Sequence, residues 1–182
     1  ITLGDVKDLV IKFELFKVAD ANGSLQATEG WSQNEQGYMS TPVVIGNHAY
    51  HHLRSQRLVC FDLRSGEEKW TSDDKFGKYM SLVAQGDRLL ALDQRGLLYL
   101  IAASPDQLNI LSERKVSSEE TWAHLAVVGR DLFIRDLNGL ARCHDRWVYR
   151  TLMQCAASTL SEFAANPRWL GATGAFTLVL HT

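Results

Sequence analysis

The strongest constraint on this chain is that it repeats itself with a period near 40 residues. Apolar runs ending in glycine recur as Val43-Val44-Ile45-Gly46, Leu82-Val83-Ala84-Gln85-Gly86 and Ala126-Val127-Val128-Gly129, and the glycines stand 40 and 43 residues apart. Each is followed by a polar residue or two and a second apolar run: Ala49-Tyr50, Leu89-Leu90-Ala91-Leu92 and Leu132-Phe133-Ile134. Short polar stretches (Arg54-Ser55-Gln56, Asp93-Gln94-Arg95-Gly96, Asp136-Leu137-Asn138-Gly139) lead into a third run, at Leu58-Val59-Cys60-Phe61, Leu97 to Ile101 and Leu140-Ala141. Apolar runs this short, bounded by turn residues, read as strands. A two-residue hairpin turn needs positive φ, which glycine and asparagine reach at low cost. Gly46-Asn47, Gly86-Asp87, Gly129-Arg130 and Asn138-Gly139 are all expected to make such turns.

One unit therefore reads strand, glycine turn, strand, polar turn, strand, turn, strand. Side-by-side repetition of four short antiparallel strands predicts an all-β fold, a partial β-propeller of about three four-stranded blades. Repeats are expected near 41–70, 81–116 and 124–147, with 11–31 closing an earlier blade, so that residues 1–147 form the array. The chain opens at Ile1 in a strand-like pattern, which suggests a piece or the C-terminal part of a longer propeller. Residues 148–182 break the pattern, with Arg150, Glu162 and Arg168 their only charges. Leu152, Ala156, Leu160 and Phe163 form an apolar stripe at helical spacing, stopped by Asn166-Pro167. That tail reads as a helical cap, an unrelated extension or a coding artefact.

The segment Cys60-Phe61-Asp62-Leu63-Arg64-Ser65-Gly66-Glu67-Glu68-Lys69-Trp70 carries a more specific signal. Its pattern, Asp62 four residues before Gly66 and Trp70 four after, resembles the tryptophan-docking motif of pyrroloquinoline-quinone-like propeller repeats, with Cys60 where alanine is usual. Asn22-Gly23 with Trp31 is a looser copy, and Ala102 to Ser112 has neither the glycine nor the tryptophan. The resemblance covers roughly residues 11–147 and extends to bacterial propellers labelled quinoprotein-like or outer-membrane-assembly-like, many of which bind no quinone. It implies that Trp31, Trp70 and Trp147 pack against neighbouring blades, with Trp70 largely buried. It also implies a periplasmic or exported protein, although no signal peptide stands in the sequence.

Composition narrows the partners. The net charge is −2 and no stretch is strongly basic, which leaves no electrostatic case for nucleic acid. No apolar run is long enough to span a membrane as a helix. Three cysteines far apart, Cys60, Cys143 and Cys155, define no disulfide framework. Unpaired strands at the ends of an open array attract other chains, so an oligomer through blade edges is expected.

Candidate chemistry is sparse. His48, His51 and His52 flank Tyr50; they could ligate a metal, or be exposed polar residues of a strand, and no carboxylate accompanies them at zinc-like spacing. In Cys143-His144-Asp145, adjacent residues of a strand point to opposite faces, so the thiol and imidazole would not meet. The resemblance raises a quinoprotein-type alcohol dehydrogenase, which would hold pyrroloquinoline quinone with calcium; the oxidising members carry adjacent cysteines, and this chain has no such pair. No catalytic, cofactor or metal residue is therefore assigned, and the reading favours a non-enzymatic binding or interaction scaffold, its protein or small-molecule ligand unknown. The best functional clue lies just before each first strand, where Gly37-Tyr38-Met39-Ser40, Gly77-Lys78-Tyr79-Met80-Ser81 and Thr121-Trp122-Ala123-His124 correspond. Tyr38, Tyr79, Trp122 and His124 are expected either to line a shared binding face or to fill space between blades.

Overall fold

The computed structural model describes residues 13–144, apart from 22 and 130; Trp147 and the tail, with its expected helix, lie outside the described residues. Every regular element described is a strand, and every pairing between strands is antiparallel. A first hairpin pairs β1 (Phe13–Ala21) with β2 (Ser24–Gln33). Blade A comes next, with β3 (Val43–Ile45), β4 (His48–His52), β5 (Leu58–Asp62) and β6 (Glu68–Thr71) in sequence order across the sheet. Blade B repeats the meander with β7 (Met80–Gln85), β8 (Arg88–Asp93), β9 (Leu97–Ala102) and β10 (Asn109–Lys115). Blade C comprises β11 (Ala126–Val128), β12 (Asp131–Arg135) and β13 (Leu140–His144). Successive up-and-down sheets of this kind are the blades of a β-propeller.

The turns show why these residues make this meander. Ile45 pairs with His48, Gln85 with Arg88 and Val128 with Asp131, so the first two strands of each blade join through two residues. The leading glycines, Gly46, Gly86 and Gly129, have φ of 59°, 57° and 57°. Positive φ at the first central position is the II′ geometry, whose twist matches that of the strands. Asn138-Gly139 does not keep to this pattern. Neither residue has positive φ; instead the Asp136 carboxylate accepts from the amides of Asn138 and Gly139, both at 2.9 Å, and a four-residue loop results. An aspartate that can bond the backbone two and three residues on removes the need for a left-handed turn.

The strand alternation sets two faces on each blade. Tyr50, Leu58 and Cys60 of blade A pack with Leu82, Leu89, Ala91, Tyr99 and Ile101 of blade B, along with Phe76 and Met80 from the connection and the start of β7. Leu53, Val59 and Phe61 on the opposite face of blade A pack with Trp31 of the hairpin. Leu90, Leu92, Leu98 and Leu100 lie on the other face of blade B and are buried, as are Leu125, Leu132 and Ile134 at and within blade C. The middle strands β4, β5, β8 and β9 are buried nearly throughout, while the outer strands β6 and β10 expose Glu68, Lys69, Glu113, Arg114 and Lys115. Charges on an outer strand discourage pairing with another chain.

Candidate functional site

Each blade has two ends. One carries the glycine turns and the turn between the third and fourth strands; the other carries the turn between the second and third strands and the connection to the next blade.

At the first end the docking motif is formed. Asp62 Oδ1 accepts from the amides of Arg64 and Ser65, both at 2.9 Å, and from Ser65 Oγ at 3.0 Å; these bonds hold its carboxyl below the usual carboxylate range. Gly66 closes the turn at φ 75°. Trp31 lies against it, so that a Cβ on Gly66 would come within 2.6 Å of the indole, and its Nε1 donates to Leu63 O at 2.8 Å. Trp70 repeats the arrangement one blade on, donating Nε1 to Ser104 O at 2.9 Å and packing on Tyr50 with ring centroids 6.1 Å apart. Trp70 is partly buried, packed against the cluster shared by blades A and B.

Register explains the irregular third copy. Trp31 faces Leu15 beside a bulge at Gly30, and Trp70 faces Cys60 beside a bulge at Lys69. The same bulge in blade B, at Leu111, brings Ser112 opposite Leu100. Ser112 thus holds the place of the docking tryptophan. Trp147, which lies outside the described residues, stands five positions after Arg142, the register counterpart of Cys60, where Trp70 stands ten after Cys60.

At the second end, Tyr38 is 38% exposed, Met39 62% and Trp122 36%. Tyr79 is 3% exposed and cannot offer surface to a partner. Trp122 covers it, stacked with centroids 6.0 Å apart and planes at 27°, and His124 meets it edge-on at 6.3 Å. The structure brings Tyr79, Trp122 and His124 together; Tyr38 stands at the corresponding place of blade A without a ring contact to them among those described. Trp122 is fixed further by donating Nε1 to Glu120 Oε2 at 2.8 Å, and Glu120 in turn accepts from Gln94 Nε2. Ser40 and Ser81 tie these connections to the next blade, Ser40 Oγ donating to Met80 O and Ser81 Oγ accepting from Leu125 N, each at 2.9 Å. The array thus presents Trp122 as an aromatic side chain that is open to solvent and held in place.

Three buried polar side chains were not legible as such. Asp93, fully buried, accepts at Oδ2 from Gly77 N (3.0 Å) and Arg95 (2.6 Å from Nη2, 2.8 Å from Nε), and at Oδ1 from the amides of Arg95 (3.0 Å) and Leu97 (3.1 Å). The Asp-x-x-Gly spacing, shared by Asp93 with Gly96 and Asp136 with Gly139, is the signal that could have found it. His51 and His52 are buried, not exposed polar residues of a strand. Burial lowers both to about 4, His52 also acting on His51, while Asp93 opposes the shift at His52.

Among the described residues no three histidine, cysteine, aspartate or glutamate side chains come together to hold a metal ion. His51 and His52 take opposite faces of β4. Cys143 is half-buried and faces Leu132 across the sheet; Asp145 lies outside the described residues. Cys60, wholly buried, has its thiol pushed up to about 11 by burial, which makes it unreactive as a nucleophile.

No family model matches the chain, and no curated protein does. Among solved structures it is similar to BamB from Moraxella catarrhalis, at 15% identity and a TM-score of 0.47, over 69% of this chain and 42% of that one. It is similar also to the β-propeller domain of Cps50 (Swd1) from Myceliophteria thermophila, at 14% identity and a TM-score of 0.47, over 74% of this chain and 53% of that one. A third is the computationally designed Ika8 protein, at 10% identity and a TM-score of 0.48, over 68% of this chain and 37% of that one. The chain spans about two-fifths to half of the length of these structures.

Proposed function

We propose that this chain is part of a non-enzymatic interaction scaffold of the pyrroloquinoline-quinone-like propeller type, and that it holds a protein partner on the connection end of its blades. The observation that carries the reading is Trp122, exposed to solvent yet fixed by Tyr79 beneath it and Glu120 beside it. Rigid amphipathic aromatics give contact area at small entropic cost and are enriched among residues that dominate binding energy. Tyr38 and Met39 extend the same kind of surface on the preceding blade. The scaffold works without a quinone and, in keeping with the family resemblance, in the periplasm or outside the cell.

The test places a photoreactive phenylalanine analogue at position 122 or, on the opposite end, at the exposed position 47 of the intact protein in its own cells. A discrete crosslinked protein is expected from 122 and not from 47, and Tyr38→Ser should weaken it. Equal crosslinking from both positions, or none from 122, would remove this end from consideration. Stoichiometric binding of pyrroloquinoline quinone with calcium, together with dye-linked alcohol oxidation, would overturn the non-enzymatic reading.

A further inference from the structure

Blade A differs from the other blades in the chemistry of one strand. In β4, His51 and His52 lie on opposite faces and are 3% and 0% exposed. The hairpin-turn register puts Ala91 and Leu92 at the corresponding places in β8. His52 shares the face of Tyr50, which packs on blade B. Its two ring nitrogens have no hydrogen-bond partner; the carbonyls of Gly77 and Gln56 approach without meeting hydrogen-bond geometry. His51 lies on the hairpin-facing side, beneath Gly37, where a Cβ on the glycine would collide with the imidazole. Each imidazole is therefore enclosed at a different seam of the same blade.

We propose that this histidine pair is an acid-operated release: protonation frees blade A from blade B at one seam and from the first hairpin at the other, and leaves blades B and C joined. A neutral imidazole is tolerated in such surroundings, but an imidazolium needs water or a partner. The carboxylate that bears on His52 is Asp93 of blade B, and it is already taken by Arg95, by three amides and, at 3.4 Å, by the Tyr99 hydroxyl. It has little left to offer a proton arriving at His52. The titratable group that bears on His51 is His52 itself, so the two charges oppose each other.

The direction comes from where the protons bind. An opened histidine protonates near its ordinary value of 6.5, whereas the enclosed rings stay neutral down to about 4. Between those values the opened form binds the extra protons. Release is therefore absent above pH 6.5 and grows as the pH falls towards 4, each histidine shifting the ratio of opened to closed form by up to about tenfold per pH unit. The seams on either side of blade B differ in this respect: on the face turned away from blade A, Leu90, Leu92, Leu98 and Leu100 carry nothing that titrates, and His124, which meets Tyr79 at that junction, is exposed rather than enclosed.

Hydrogen exchange of the full chain, monitored by mass spectrometry and corrected for intrinsic rate, tests this between pH 7.5 and 4.5. Peptides covering residues 43–71 are expected to lose protection more than tenfold between pH 6.5 and 5 while those covering 88–102 keep theirs. His52→Leu, which borrows blade B's residue, and the isosteric, non-titrating His52→Gln should each move the loss to lower pH; His51→Ala should do the same at the hairpin seam. Loss of protection at the same pH in the parent and in the His52 variants, or simultaneous loss in both sets of peptides, would overturn the proposal. If His52→Leu fails to fold at pH 7.5, the comparison with His52→Gln decides.

Discussion

Replacing Trp70 tests whether indole docking holds successive blades together. The ring packs on Tyr50 and against the cluster shared by blades A and B, and Nε1 donates to Ser104 O at 2.9 Å. Truncating a fully buried tryptophan costs roughly 3–5 kcal/mol. Trp70 retains some exposure at the rim, which brings the ring's share to about 2–3 kcal/mol, and a hydrogen bond adds about 1 kcal/mol. Trp70→Ala should therefore destabilise by about 3–4 kcal/mol, while Trp70→Phe, which keeps most of the ring and loses the donor, should cost about 1–2 kcal/mol. Urea melts read by far-UV circular dichroism give both values without depending on the tryptophan signal. A loss below about 1 kcal/mol for Trp70→Ala would show that the indole merely rests on the neighbouring blade, and would refute the docking account. Equal losses for the two variants would instead assign the whole effect to the hydrogen bond.

Four further substitutions separate backbone, packing and electrostatic effects. Gly66→Ala and Gly46→Ala both force a side chain to φ near 60–75°, but only at Gly66 would the new Cβ meet Trp31; Gly46→Ala should cost about 1 kcal/mol and Gly66→Ala at least about 1 kcal/mol more in the same urea melts. Gln56 occupies, at φ 69°, the place that Gly96 takes in blade B, so Gln56→Gly should raise the urea midpoint by an amount equivalent to up to about 1 kcal/mol. Asp93→Asn keeps the shape but turns an amide towards amide donors and strands the Arg95 guanidinium; a loss of about 2–4 kcal/mol is expected, and a neutral result would mean that water or another acceptor replaces the carboxylate.

The turns were the most legible part of the fold, because a glycine's access to positive φ belongs to the residue and needs no tertiary context. Gly46, Gly86 and Gly129 carry the repeat for that reason. Asn138-Gly139 misled, since Asp136 upstream offers its carboxylate to the same two amides and so makes another loop possible. Burial on both faces of a strand was less legible. In His48-Ala49-Tyr50-His51-His52 the alternation that marks a half-exposed strand is missing, yet only the neighbouring blades decide that both imidazoles are enclosed. Tyr38 and Tyr79 illustrate the same limit: each precedes a Met-Ser pair, but Trp122 of the next connection covers Tyr79 and no counterpart covers Tyr38 among the ring contacts described. Which aromatic side chains stay open to solvent depends on such neighbours, which a spacing pattern does not contain.

Ser112 at the docking position has a mechanical consequence. A stack of blades yields at its weakest junction, since each blade is supported chiefly by those beside it. The junctions on either side of blade A are fastened at the rim by Trp31 and Trp70, whereas blade B ends its rim in a single half-buried hydroxyl. Its leucine-rich face and the Ser81–Leu125 bond still secure the inner part. Under tension, the junction between blades B and C should therefore open at the rim and move inwards as a peeling front, while the tryptophan-fastened junctions resist until a higher load. Force spectroscopy on Ser112→Trp, which would restore the missing fastener, should show the first rupture shifted to greater force.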